Sequence, residues 1–264
     1  MATSTKRMVI LAGSNLQVDP RVQGARRERR VQIMAANWDP RAAGMITLSA
    51  RSDGSTFIVD GQHRVAAALE TQDRPARQVA GHMLPPTFKV ERIYAEVFEG
   101  LTLEEEAEMY LLLNDTKIPM ALDRVAVSAV AGRPDAVRVE LTARKYGWFL
   151  KNTPRIQAPQ TFNRIAGMDE DGVIIDRVFN ILTQAWSHAS DSTRSGIVEG
   201  LARLLKERPH LDDARLIKVL SKHQPSTILS NIESLRGTYQ ARARIMALAG
   251  LYDRGLSEAR KLSV

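Results

Sequence analysis

The sequence predicts an α/β chain of the α+β type, a small mixed sheet with helices followed by an all-helical C-terminal part. Three observations carry that expectation. Short β-rich runs are confined to roughly the first hundred residues. Two of them, Met45–Ala50 and Ser55–Asp60, flank Ser52-Asp53-Gly54 as a hairpin. Beyond Pro119 every long apolar pattern has helical spacing. The domain boundary therefore falls near residue 120, with 1–120 as the α/β part and 121–264 as the helical part.

In chain order, Met8–Ala12 reads as a first strand and "GSNLQVDP" as a loop. A helix is expected over Ala25–Ala36, with arginines on its first turns and Val31, Ile33, Met34 and Ala35 as its apolar positions. Cations at a helix start oppose the macrodipole, so local stability does not account for them. After the hairpin, the alanine-rich Val65–Leu69 reads as a helix, Gln72–Gln78 as a polar loop and Val90–Phe98 as a strand. "LTLEEEAEMYLLLND" then reads as a helix capped by Thr102, with Glu105 at capping-box spacing. The acids Glu104, Glu105, Glu106 and Glu108 are expected to be a solvated helix start. In the C-terminal part, helices are expected in "ALDRVAVSAVAG", "PDAVRVELTARKYGWFL", "GVIIDRVFNILTQAWSH", "STRSGIVEGLARLLKER" and "DDARLIKVLSKH". Tyr146, Trp148, Phe149 and Trp186 lie on apolar faces and are expected in the core.

The totals remove several classes of function. With no cysteine, the chain has no disulfide framework, thiolate metal site or thiol catalysis. The five histidines show no paired metal-ligand spacing, so no metal site is assigned to them. No apolar run is long enough to span a bilayer, and the first is poorly flanked for a secretory signal. The expectation is a cytoplasmic protein without membrane contact. The net charge of +7 is concentrated early, because residues 1–30 carry seven basic side chains against two acidic ones. Such a patch suits a polyanionic partner, and arginine suits forked contacts to phosphate.

The residues with most chemistry are "STFIVDGQHRVAAALE", Ser55–Glu70. A strand delivers Asp60-Gly61-Gln62-His63-Arg64 directly into a helix start. The first N–H groups of a helix lack intrahelical acceptors, and the dipole adds positive character there. Gly61 lets the backbone approach a ligand closely, since no Cβ intervenes. Arg64 can fork onto a phosphate, His63 can donate to one or shuttle a proton, and Gln62 can read a polar group. Asp60 can orient Arg64, cap the helix or help hold a cation. A purely structural corner, with Asp60 capping and Arg64 paired to an acid, remains open on spacing alone.

"VDGQHRVAAAL" resembles the signature of DGQHR-type proteins of the ParB/sulfiredoxin superfamily, in which a Gly-x-x-Arg corner forms a phosphate pocket. Upstream, "LQVDPRVQGARRERR" resembles the first box of ParB-like domains. Downstream, "LTLEEEAEMYLLLNDTKIPM" resembles the following helix and its asparagine. The helical remainder is similar to small actinobacterial and phage proteins. The resemblance implies a nucleotide- and DNA-binding protein. Gly61, Gln62, His63 and Arg64 would face phosphate, Asn114 would lie near nucleotide and metal, and Arg26, Arg27, Arg29 and Arg30 would meet DNA. It also implies a nucleoside triphosphate, CTP or ATP, with magnesium, and a homodimer as a form common among such proteins. Gln62 stands where sulfiredoxins carry a cysteine and partition proteins often a glutamate. Sulfinic-acid reduction is thereby excluded.

Three readings follow. The first is a ParB-like nucleotide-binding protein acting on or alongside DNA. The second is an NTPase, phosphotransferase or nuclease with Asp60 or His63 as general base. The third is a noncatalytic DNA-binding regulator. A helix-turn-helix around Ser221–Pro225 fits the last, with Ser226, Thr227, Asn231 and Arg236 toward a groove.

Overall fold

The computed structural model describes residues 3–11, 15–39, 43–79, 82–84, 86–114, 121–235, 240–254, 256 and 261. The fold is α+β, and the chain divides into two compact units, Met1–Pro119 and Met120–Val264. In the first unit, β1 (Thr3–Ile10), β7 (Arg92–Glu99), β3 (Ile46–Ala50), β4 (Thr56–Asp60) and β2 (Leu16–Gln17) lie side by side in that order. β1 runs antiparallel to β7, β7 parallel to β3, β3 antiparallel to β4, and β4 parallel to β2. The expected hairpin is therefore present as β3–β4. A second hairpin, β5 (Arg77–Val79) with β6 (His82–Leu84), begins where a polar loop was expected. Its strands are three residues long, too short for an alternating pattern to stand out.

β3 is central and buried on both faces. Ile46 and Leu48 join Val31 of α1 (Glu28–Ala36) and Val65 of α2 (Gln62–Glu70) in one cluster. Thr47 and Ser49 alternate with them toward the opposite face. α1 and α2 pack against each other, so the two helices that follow the arginine cluster and the Gly61 corner are neighbours. α1 begins three residues later than its arginines suggest. Ala25, Arg26 and Arg27 stay outside the helix and Arg27 is its N-cap. The first strand starts earlier than expected, because β7 offers partners back to Thr3, which faces Glu99.

α3 (Leu103–Leu113) has the anticipated capping box. Thr102 Oγ1 accepts from the Glu105 N–H at 3.2 Å, and Glu105 Oε2 accepts from the Thr102 N–H at 2.8 Å. The acids of this helix are not all solvated, however. Glu106 is 1% exposed and pairs with Arg51, whose Nε lies 2.8 Å from Oε1. Arg51 also donates to Asp19 at 2.9 Å and lies over the Phe57 ring at 3.7 Å. A glutamate one turn from a helix start serves equally as a dipole partner or a buried counter-ion. Only the tertiary position of Arg51 separates the two.

The second unit is all-helical among its described residues. It comprises α4 (Ala121–Val130), α5 (Pro134–Lys145), α6 (Pro159–Met168), α7 (Val173–Trp186), a 3₁₀ turn (Ser190–Thr193), α8 (Ser195–Glu207), α9 (Asp213–Leu220), α10 (Pro225–Ser234) and α11 (Gln240–Asp253). Its core is built around Trp148, Phe162 and Phe179, the two phenyl rings stacking 4.4 Å apart. Trp148 is fully buried, and its Nε1–H donates to Thr183 Oγ1 at 2.9 Å. α6 was not among the expected helices. Its short apolar stripe, Phe162, Ile165 and Ala166, follows Pro159 at the start of the helix. α9 and α10 flank the turn at 221–224, and Ser226, Thr227 and Asn231 are exposed on α10. Arg236 lies outside the described residues.

Breaking a buried ion pair leaves a charge without a counter-ion, at a cost of about 3 kcal/mol. Glu106→Ala should therefore destabilise the protein by about that much, whereas Glu104→Ala, on the exposed side of the same helix, should stay within about 0.5 kcal/mol. Urea unfolding of the two variants checks this.

Candidate functional site

The corner forms because β4 ends at Asp60 and Gly61 turns the chain at φ 104°, a left-handed conformation that glycine tolerates. A Cβ at Gly61 would lie 2.5 Å from Ile46 Cγ2, so the backbone here is laid directly on the neighbouring strand. α2 starts at the next residue, with no side chain capping it.

The polar residues of the corner divide between bracing and display. Arg64 braces. Its Nη1 donates to the carbonyls of Ala43 (2.9 Å) and Met45 (2.8 Å), and its Nη2 to Asp60 Oδ2 (2.6 Å). Gly44, at φ 62°, sits against this guanidinium, where a Cβ would meet Nη1 at 3.2 Å. The fork thus holds the approach to β3, and Asp60 is its counter-ion. Gln62 Nε2 donates to the Gly24 carbonyl at 3.2 Å. The buried Gln23 donates back to the carbonyls of Ile58 and, at 3.1 Å, Val59. Together these bonds sew the segment preceding α1 onto the end of β4.

His63 completes the seam. Its Nε2 accepts from the Arg27 backbone N–H at 3.1 Å, which places the proton of the neutral ring on Nδ1. The donor belongs to the N-cap of α1, another helix whose start no side chain caps. Two helix N-termini, each with partial positive charge, are thus joined through one imidazole. Arg26, Arg27, Arg29 and Arg30 are all exposed, Arg26, Arg27 and Arg30 acting on the imidazole, and only Arg26 among the four forms an ion pair, to Glu28 at 2.8 Å, among the described residues. Burial first, then the charges of Arg30, Arg27 and Arg26, push His63 below its ordinary value of 6.5 against a pull from Glu28. The field at this point is positive.

Asp19 anchors the other end of the segment. Hydrogen bonds from Arg21 and Arg51 outweigh its burial and hold the carboxyl well below the usual carboxylate range. Asp19, Arg51 and Gln23 are positioning residues that inspection of the sequence missed. Their only signal there is an acid and an amide bracketing Pro20-Arg21-Val22.

Asn114 has a different set of contacts. It is the C-cap of α3, and its Nδ2 donates to the Tyr110 carbonyl at 2.9 Å. No hydrogen bond joins it to Gly61–Arg64 among the described residues. No group of three or more His, Asp or Glu that could hold a metal ion occurs among the described residues. Nor is any helix there long and apolar enough to cross a membrane.

These features define an α+β protein in which two helix starts meet at an electropositive corner. The chain belongs to DUF6551, a family of unknown function whose model matches residues 20–244 and so takes in residues of both units. No curated protein and no solved structure matches it.

Two outcomes test the geometry. Arg64→Ala should destabilise the fold by about 2 kcal/mol or more, since charged hydrogen bonds and a counter-ion are lost together, as urea unfolding will show. A depressed folded-state pKa means that His63 stabilises the fold when neutral. That contribution is fully present above pH 6.5 and is lost as pH falls through the depressed value. Between pH 7.5 and 5.5 the wild type should lose more stability than His63→Gln, and NMR titration of His63 should give a midpoint below 6.5.

Proposed function

We propose that the first unit is a ParB-like phosphate-binding module that holds a nucleotide or the DNA backbone, in a protein acting on or alongside DNA. The observation carrying this reading is the convergence of the uncapped starts of α1 and α2 at His63, with the exposed guanidinium groups of Arg26, Arg27, Arg29 and Arg30 around them. Helix N-termini and arginine forks are two recurrent ways in which proteins meet phosphate. Here they occupy one place. The N–H groups of Gln62 and His63 supply backbone donors, and the arginines supply charge.

The geometry favours binding over bond-breaking. A general base needs a lone pair directed at substrate. The Asp60 carboxylate pairs with Arg64 and the His63 Nε2 already accepts the Arg27 N–H. Arg64 contributes by holding the corner in shape. Magnesium fits such a site when carried by the phosphates of CTP or ATP, and a homodimer is compatible with the reading without being required by it.

Calorimetry against CTP, ATP and a short DNA duplex tests the proposal. The wild type should bind at least one of them, and the double variant Arg27→Ala/Arg30→Ala should bind at least tenfold more weakly while melting at the same temperature. If DNA is the ligand, affinity should fall steeply with salt, by a log–log slope of about 0.9 per phosphate neutralised. Absence of binding to all three ligands would sink the reading.

A further inference from the structure

The second unit contains a cavity of about 130 Å³ between α6, α7 and α8. Its size approaches the ~150 Å³ of engineered apolar cavities that take up benzene. Ile165, Met168, Ile174 and Ala202 form its apolar surface. On α8, Glu199, Ala202, Arg203 and Lys206 recur at helical spacing, so one face of that helix supplies a wall. The small Ala202 in the middle of that face leaves the space open, and α6 and α7 supply its other walls.

The charges around this cavity are unbalanced. Glu199 is 12% exposed and is shared by three guanidinium groups. Arg164 lies 3.2 Å and Arg203 3.1 Å from its oxygens, and Arg244 of α11 also donates to it. Burial alone would raise the Glu199 carboxyl. The hydrogen bond from Arg203 and the charges of Arg244 and Arg164 outweigh burial and hold it below its ordinary value. Lys206 has no ion-pair partner among the described residues. The other lining carboxylate, Asp169, accepts the Ile175 N–H at 2.8 Å and is 6% exposed. Three cations, Arg164, Arg203 and Lys206, therefore line the cavity against two carboxylates, and Arg164 and Arg203 remain half exposed at the rim.

We propose that this cavity binds a small carboxylate with an apolar body, of the size of one aromatic ring or a short alkyl chain. The body fills the space over Ala202 between Ile165, Met168 and Ile174. The carboxylate meets Lys206 and Arg203 at the rim, supplying the second acid that the three arginines around Glu199 leave room for. A neutral molecule of the same shape would gain the apolar contact but leave the cationic rim without a counter-ion. The site lies entirely within the helical unit and does not depend on the phosphate reading of the first.

Phenylacetate and its neutral counterpart 2-phenylethanol serve as probes of the full chain, read by calorimetry and by methyl NMR of Met168 and Ala202. Phenylacetate should bind at least tenfold more tightly than 2-phenylethanol and should shift both methyl resonances. Ala202→Leu, which fills the space, should abolish binding. Lys206→Glu, an exposed substitution that leaves the core untouched, should weaken it about tenfold and so tests the site even if Ala202→Leu fails to fold. Failure of phenylacetate to bind would overturn the proposal. So would equal affinity for the alcohol, or unchanged affinity in a folded Lys206→Glu variant.

Discussion

The buried chain of charges Asp19–Arg51–Glu106 is the constraint on which the first unit depends. Arg51, one residue past β3, reaches a carboxylate on α3 and another at the head of the segment leading to α1. Glu106, 1% exposed, cannot lose this guanidinium without remaining charged in a medium that solvates it poorly, whereas Asp19, 4% exposed, would keep Arg21. Three pieces of chain far apart in sequence are therefore held by one side chain. The Arg27 amide can reach His63 because the segment that carries it is pinned at Asp19 on one side and at Gln23 further along.

From that anchor, the corner is assembled mostly by side chains bonding to backbone. Gln23, Gln62, His63 and Arg64 all satisfy or draw on main-chain groups of other segments. Such bonds fix position with little demand on the partner's side chain. The segment from Gly24 to Arg27 thus keeps its arginines outward while its backbone is held at Gly24 and at Arg27. An electropositive surface built this way is rigid beneath and free above.

Much of the architecture was legible in the sequence, and for identifiable reasons. The β3–β4 hairpin follows from β-rich runs around Ser52-Asp53-Gly54, and the start of α3 follows from Thr102 and Glu105. Both signals are local. What escaped notice was non-local: the burial of Glu106, the hub role of Arg51 and the β5–β6 hairpin all depend on partners distant in sequence or on very short strands. The corner itself was visible as a surplus of polar groups, but Gly61, read as opening the backbone to a ligand, is laid against Ile46 of β3. The division of labour within it was not visible. That Arg64 turns inward while Arg27 and Arg30 stay outward depends on the carbonyls of Ala43 and Met45, which no side-chain pattern announces.

The pairing of β1 with β7 bears on how the chain is made. Thr3 faces Glu99 and Ile10 faces Arg92, so β1 bonds to the strand of its sheet that is made last. At roughly 5–20 residues per second, the partner appears about 5–20 s later. Throughout that interval β3 also lacks its parallel neighbour, whereas the β3–β4 hairpin and α2 can already form. β7 is therefore the last strand of the sheet to become available, and its place is between β3 and β1. Anything that occupies β1 during those seconds, a nascent neighbour included, competes with the native edge.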